Sequence, residues 1–416
     1  MKHAAALAHT LRDAARLVER VAGGRSLAGE DTPRGALLDL THGTLREYGR
    51  VQAIVRELSR RGLPDTSVQA LLWCSLYALD SGRYAEYTVV DQAVRAGALL
   101  GRGSAKGYIN GLLRSYLRLR GPLQARLRAD DEANYQHPGW WISMVRAAYP
   151  DCWEAVLRAG NEQPPMALRV NRRRSGISQY AARLAACGIE ARLVDDAALL
   201  VERPVSVDRL PGFSDGDVSV QDAGAQRAAR CLDLVAGQRV LDACAAPGGK
   251  SAHILESADV ALTALDIEPE RCAKIVRNLE RLSLSANVHA ADCTQLDAWW
   301  DGEPFHRILA DVPCSSSGVA RRHPDLKWLR RSSDVPAFAQ RQGAILRALW
   351  RVLAPDGKLL YVTCSVFPQE NEEVVESFVA QAAGACRLPL ADGQPAQWLP
   401  NAEHDGFFLA LIQKQA

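Results

Sequence analysis

The 416-residue chain reads as a multidomain protein. An all-α bundle is expected over 1–130, a linker and small α+β module over 131–220, and an α/β domain over 221–416. Three observations predict that division. Apolar residues recur at helical spacing from Leu7 to about Leu119 with no strand pattern between them. Beyond Gln238, short apolar runs alternate with helical stretches, the rhythm of a mostly parallel sheet covered on both faces. The length also exceeds what one core usually organises.

In the first part, Leu7, Leu11, Ala14, Val18 and Val21 form one stripe, and Leu38, Thr41, Leu45, Tyr48, Val55 and Leu58 another. Residues 68–79 are almost wholly apolar, as a helix buried on several sides requires. Further helices fit 88–97 and 106–119, punctuated by Gly62-Leu63-Pro64-Asp65 and Gly101-Arg102-Gly103-Ser104. Gly121-Pro122 reads as the start of a linker reaching His137-Pro138-Gly139, with a helix near 142–149. Strands at 166–171, 191–194 and 199–201 and a helix at 178–187 make up the small module. In the last part, strands are expected at 239–243, 261–267, 287–291, 307–311 and 359–363. Helices fit 249–256, 269–282, 336–353 and 371–382, and 406–412 reads as a closing antiparallel strand.

Composition narrows the class. Hydrophobic residues at 48% with 24% charged describe a folded globular protein rather than a disordered one. No apolar run approaches the ~20 residues of a membrane span. Met1-Lys2-His3-Ala4 leads straight into an amphipathic pattern without a cleavage-site signature, so the expected location is cytoplasmic. The ten cysteines include no Cys-x2-4-Cys pair, which argues against a metal site and for reduced, mostly buried thiols. The net charge of +2 hides an asymmetry: residues 1–130 carry 20 Lys and Arg against 12 Asp and Glu, the remainder 30 against 36. An arginine-rich excess suits a phosphate-bearing partner, although a solvated helical surface would have the same composition.

Ligands of open α/β sheets sit beyond the carboxyl ends of the strands. After the first strand comes a small-residue loop, Asp242-Ala243-Cys244-Ala245-Ala246-Pro247-Gly248-Gly249-Lys250-Ser251. It lets backbone approach a ligand and aims a helix N-terminus at it. A phosphate-binding P-loop fails because Cys244 stands where its first glycine belongs, and the Gly-x-Gly-x-x-Gly of dinucleotide folds is missing. S-adenosylmethionine asks for such a loop followed by acids ending the next two strands. Asp266 there can accept the ribose hydroxyls, and Asp292 the adenine amino group. A single strand-end Asp is often a helix cap or turn residue; loop, acid and acid in succession point to a Rossmann-like methyltransferase domain.

Two thiols follow at later strand ends, Cys314 in Asp311-Val312-Pro313-Cys314-Ser315 and Cys364 in Thr363-Cys364-Ser365. Carbon 5 of cytosine is too weak a nucleophile to take a methyl group directly. A thiolate adding at carbon 6 makes carbon 5 enamine-like, and loss of the carbon-5 proton later frees the sulfur. Asp311 can stabilise the charge the ring gains. A Pro-Cys dipeptide favours Cys314 as nucleophile, as in DNA cytosine methyltransferases, but the second thiol leaves the choice open.

The stretch Asp242–Ser251, Asp311–Gly318, and Tyr361–Ser365 with Glu370-Asn371-Glu372 resemble the motifs of RNA cytosine-carbon-5 methyltransferases. Val319–Trp328, Pro211-Gly212-Phe213 and Val218–Asp222 are similar to the bacterial 16S ribosomal RNA branch of that family, whose members carry a NusB-like N-terminal helical domain. The resemblance implies Cys364 as nucleophile, Cys314 in product release and Asp311 in base-ring stabilisation. It places S-adenosylmethionine against Cys244, Ala245, Ala246, Pro247, Gly248, Gly249, Lys250, Asp266, Asp292 and Asp311. It implies 16S ribosomal RNA, or an early small-subunit assembly intermediate, as partner, with a monomer as the default state. Arg321, Arg322, His323 and Lys327, beside Trp328, are expected RNA contacts, and so are Arg169 and Arg172; a solvated loop is the plain alternative. Transfer RNA as substrate, or a binding factor with a vestigial catalytic half, are the rival readings.

Overall fold

Ten of the fifteen residues of the helix Thr66–Asp80 are buried. The helices Lys2–Ala22, Ala36–Arg46, Tyr48–Leu58, Glu86–Leu99 and Lys106–Leu127 all pack against it. Asp65 fixes its start by accepting from the Val68 N–H at 3.2 Å. The computed structural model describes residues 2–27, 35–59, 62–195 and 197–416, except the side chains of 2–6 and 392.

Gly121-Pro122 does not open a linker: it lies inside the helix Lys106–Leu127. Leu123 and Leu127 are buried and prolong the stripe of Ile109, Leu112, Leu113 and Tyr116. Burying two leucines is worth about 3–6 kcal/mol, which offsets the roughly 3 kcal/mol that an interior proline costs. The short helices Asp131–Tyr135, Gly139–Ala148 and Trp153–Ala159 also belong to this helical unit. The unit comprises Met1–Glu162 together with Ala320–Ser332, so a segment from the last third of the chain joins it.

The second unit comprises Gln163–Val319 and Ser333–Ala416. Its small module is an antiparallel sheet of β1 (Met166–Val170), β2 (Ala191–Val194), β3 (Ala198–Val201) and β4 (Val218–Val220), in the order β2-β3-β1-β4. Tyr180 and Leu184 of the helix Ile177–Ala186 cover it, against Leu168, Val170 and Leu199. The larger sheet holds β5 (Arg239–Asp242), β6 (Ala261–Asp266), β7 (Asn287–Ala290), β8 (Phe305–Asp311), β9 (Leu353–Thr363), β10 (Ala385–Leu388), β11 (Gln397–Trp398) and β12 (Phe407–Lys414). Its order is β10-β12-β9-β8-β5-β6-β7, with β11 on β12. Strands β5 to β9 run parallel and β12 antiparallel to β9, as the sequence pattern requires. The helices Gly249–Ser257, Pro269–Arg281, Asp334–Val352 and Glu372–Gln381 make the crossovers. Strand order reverses beside β5, with β6 and β7 on one side and β8 and β9 on the other. That reversal opens a crevice at the carboxyl ends of the strands.

Candidate active site

The crevice is floored by the loop after β5. Asp242 is fully buried and accepts from Ser251 Oγ at 2.6 Å; burial pushes its pKa up to about 7 against the pull of that hydrogen bond. The loop is pinned to β6: Ala245 N–H donates to Leu265 O at 2.7 Å and Ala246 N–H to Asp266 Oδ2 at 3.3 Å. Gly248 takes φ 94°, and a Cβ there would sit 3.1 Å from Ile275 Cα, so the turn requires glycine. The helix Gly249–Ser257 then begins without a side-chain cap. Its leading N–H groups have no intrahelical partner and suit a carboxylate.

Asp266 is 4% exposed and also accepts from Glu268 N–H at 3.2 Å, with Arg271 at 3.3 Å. Asp292 lies two residues past the end of β7, where it accepts from Thr294 N–H and Oγ1 at 2.9 and 2.8 Å. Cys244 packs against the apolar core under the sheet, and its hydrogen bond with Cys293, then burial, pushes its thiol pKa well up. The residues present fit S-adenosylmethionine: an uncapped helix terminus for its carboxylate, close backbone, and two acids for its ribose and adenine.

The two thiols meet across adjacent strands. Asp311 ends β8 and Thr363 ends β9, with Asp311 in register with Val362. Cys314 Sγ lies 3.4 Å from Cys364 Sγ. The pair is electrostatically asymmetric. The hydrogen bond from Cys314 lowers the Cys364 pKa, with Lys250 helping and burial opposing. The same bond, and burial, push Cys314 well up. The proton therefore rests on Cys314 and thiolate character on Cys364. Lys250 Nζ lies 2.5 Å from Asp311 Oδ2. Burial works against its charge, but Asp311 keeps it above the ordinary lysine value.

A buried carboxylate that sequence reasoning left without a role holds the two thiol turns together. Glu370 accepts from Ser315 N–H at 2.7 Å, Ser315 Oγ at 2.5 Å, Ser365 Oγ at 2.6 Å and Gln342 Nε2 at 3.2 Å. Each serine directly follows one of the cysteines. Burial raises the Glu370 pKa while these donors lower it. Asn371 adds a second tie: Oδ1 accepts from Thr363 Oγ1 at 2.5 Å, and Nδ2 donates to Ser365 O at 2.9 Å. The repeated Cys-Ser dipeptide was the available signal.

The expected RNA contacts divide. Arg169 is 2% exposed and gives its guanidinium to Glu256 at 2.9 and 2.8 Å, to Gln221 Oε1 at 2.6 Å and to Gly249 O at 2.7 Å. Lys327 is fully buried in the helical unit, donating to Asn161 Oδ1 at 2.6 Å, Gln136 O at 2.9 Å and Arg46 O at 3.3 Å. Arg321 is 1% exposed, and its carbonyl accepts from Arg46 Nη2 at 3.1 Å. Arg169 and Lys327 spend their cations on internal polar groups that are remote in sequence, and the Arg321 side chain is likewise buried rather than exposed to a partner. Trp328 likewise donates to Leu45 O at 2.9 Å. Arg172 and His323 are exposed and Arg322 half-buried. Among the described residues there is no cluster suited to a metal ion and no helix long and apolar enough to cross a membrane.

Fold and site together define an S-adenosylmethionine-dependent methyltransferase with a paired-thiol centre. The family model for 16S rRNA methyltransferase RsmB/F matches residues 229–413, a ferredoxin-like domain of RsmF/B-like methyltransferases residues 137–208, and the NusB family residues 13–118. The chain belongs to the RsmB/F family of 16S rRNA methyltransferases. It is 41% identical over 402 residues to the ribosomal RNA small subunit methyltransferase B of Pseudomonas syringae pv. tomato, covering 92% of this chain and 90% of that one. For the protein of the same name from Pseudomonas putida the figures are 42% over 401 residues, 93% and 92%. A solved methyltransferase homologue from Pyrococcus horikoshii aligns over 68% of this chain and 98% of its own, at 25% identity and TM-score 0.60. The solved structure of PH0851 aligns over 97% and 99%, at 21% identity and TM-score 0.81, which shows a shared fold.

Proposed function

We propose that this chain methylates carbon 5 of a cytosine in 16S ribosomal RNA, with Cys364 bonding transiently to carbon 6. The observation that carries the reading is the thiol pair, 3.4 Å apart, with Lys250 and Asp311 beside it. The target base leaves its stack to reach the crevice. Addition of the Cys364 thiolate to carbon 6 forms a carbon–sulfur bond and pushes the ring electrons toward carbon 5 and the ring nitrogen. A proton shared between Asp311 and the ring nitrogen stabilises the charge the ring gains, and the Lys250 ammonium, 2.5 Å from Asp311 Oδ2, adds positive charge beside it. When bound, S-adenosylmethionine supplies the electrophilic methyl that carbon 5 takes. A base, which water in the crevice can supply, then takes the carbon-5 proton; the carbon–hydrogen pair rebuilds the ring double bond and the carbon–sulfur pair returns to Cys364. The Cys314 S–H donates to that departing thiolate and eases release.

The substrate is 16S ribosomal RNA, naked or in an early small-subunit assembly intermediate; the enzyme acts as a monomer in the cytoplasm. In the segment after Cys314, half-buried Arg322 and exposed His323 are the residues placed to meet RNA. The test is methyl transfer from labelled donor to purified 16S ribosomal RNA and transfer RNA, with bisulfite mapping of the product. A single 5-methylcytosine in 16S RNA is expected. Label confined to transfer RNA would contradict the substrate, and donor binding without transfer to any RNA would contradict the enzyme.

A further inference from the structure

Cys314 is followed by three consecutive serines, and the middle one behaves differently from its neighbours. Ser315 Oγ and Ser317 Oγ lie 3.1 Å apart, and each meets the Ser365 hydroxyl, at 3.2 and 3.0 Å. Both residues are buried. Ser316 is half-buried, and its φ of 61° places its backbone in the left-handed region. Ser316 opens a turn in which the Val319 N–H donates to its carbonyl at 3.2 Å. The first position of such a turn does not call for a positive φ, and a residue with a Cβ is strained there where glycine is not. Strain of this kind at a reactive centre points to a role for the side chain.

The neighbouring contacts identify that role. The Gly318 N–H donates to Cys364 O at 2.8 Å and ties the serine loop to the Cys364 turn. Held there, the Ser316 hydroxyl donates to the Cys364 sulfur, and the Ser316 N–H donates to the Cys314 sulfur. One residue therefore touches both thiols, which are 3.4 Å apart. Of the influences on Cys364, the Cys314 S–H lowers its pKa most; burial and the Asp311 charge raise it, and the Ser316 hydroxyl lowers it again, ahead of Lys250.

We infer that Ser316 is a further catalytic residue: its hydroxyl donates to the Cys364 sulfur whenever that atom is an unattached thiolate, and so draws it off the methylated base. In the free enzyme the hydroxyl bonds an anion, the stronger kind of hydrogen bond. Once sulfur joins carbon 6 its charge passes to the ring, and the thioether that remains is a weak acceptor. When a base takes the carbon-5 proton and the carbon–sulfur pair returns to sulfur, the strong bond forms again. The serine keeps its own hydrogen throughout, since a hydroxyl is a far weaker acid than a thiol. The bond thus favours free sulfur over the adduct, and its loss should leave adduct that lingers.

This role rests on the covalent reading, and alkylation probes the contact without RNA. Ser316→Ala removes the hydroxyl and keeps the strain; Ser316→Gly removes both. Iodoacetamide labelling of the Cys364 peptide, read by mass spectrometry across pH, gives the midpoint of its titration. That midpoint should move upward in both variants, and upward again when Ser316→Ala is added to Cys314→Ala. With 16S ribosomal RNA and donor, the fraction of enzyme trapped as a denaturant-resistant adduct should rise about twofold to tenfold, the range one net hydrogen bond spans. Ser316→Gly should have a higher Tm than Ser316→Ala yet release product no faster, a pairing that a purely structural serine would not produce. A midpoint unmoved in both variants overturns the role, and so does a Ser316→Gly enzyme that titrates and turns over like the parent. A parent that traps RNA, with no rise in either variant, overturns the part of Ser316 in release alone. If the midpoint shifts but the parent neither methylates nor traps any RNA, the covalent reading is what fails, and the hold of Ser316 on the Cys364 thiolate stands.

Discussion

Glu370 sets the spacing of the two thiols through the serines that follow them, and Glu370→Gln tests that directly. The wild-type carboxylate takes four hydrogen bonds with no exposure to solvent. An amide has the same shape but offers one acceptor oxygen, so it cannot serve Ser315 N–H, Gln342 and both hydroxyls as they stand. The hydroxyls can reverse and accept, which limits the damage. Losing the charge assistance of about two bonds, at roughly 1.5–3 kcal/mol each less this rescue, gives about 2–4 kcal/mol. For a unit of this size that lowers Tm by about 4–16 °C. The kinetic effect should be larger, because reacting groups displaced by about 1 Å lose on the order of 100-fold. Single-turnover methylation with bound RNA, followed beside thermal unfolding, reads both quantities. The expectation is a slow chemical step with Kd for RNA unchanged. A variant that loses stability yet methylates at the parental rate would refute the idea that Glu370 positions the thiols.

Other consequences follow from the same geometry. Alkylation of Cys364 by iodoacetamide should rise with pH to a half-maximum below the ordinary thiol value of 9.0; in Cys314→Ala that midpoint should move upward, because the largest lowering influence is gone. Asp242 titrates near 7 when folded and near 3.8 when unfolded, so the folded state holds the extra proton between those values. Its contribution to stability is present below about pH 4 and is lost as pH rises to 7, on the order of 4 kcal/mol in all. Asp242→Asn should flatten that slope in urea titrations; parallel slopes would contradict it. Arg169→Met leaves the Glu256 carboxylate buried without its partner, which should cost about 3–5 kcal/mol and raise the KM for the donor more than it lowers kcat. A stable variant with normal donor binding would contradict the bracing of Gly249.

What was legible in the sequence depended on locality. β8 and β9 announce themselves by apolar runs, and the residues that end them, Asp311 and Thr363 before Cys364, follow by adjacency. The loop from Cys244 to Lys250 could be recognised because its chemistry lies in consecutive residues. Lys327 and Arg169 could not be read, since a cation's burial depends on acceptors such as Asn161 and Glu256 that are distant in the chain. Gly121-Pro122 misled because local propensity argues for a break, whereas Leu123 and Leu127 are drawn into the core. Cys293 went unnoticed for the same reason as Lys327: its partner, Cys244, lies on another strand end.

Trapping the RNA–enzyme bond tests the central claim most directly. Each cysteine variant is incubated with 16S ribosomal RNA and donor, then run on a denaturing gel. Cys314→Ala should accumulate a denaturant-resistant adduct, because Cys364 still attacks and release is slowed. Cys364→Ala should give neither adduct nor methylated RNA. An adduct with Cys364→Ala, and none with Cys314→Ala, would reverse the two roles.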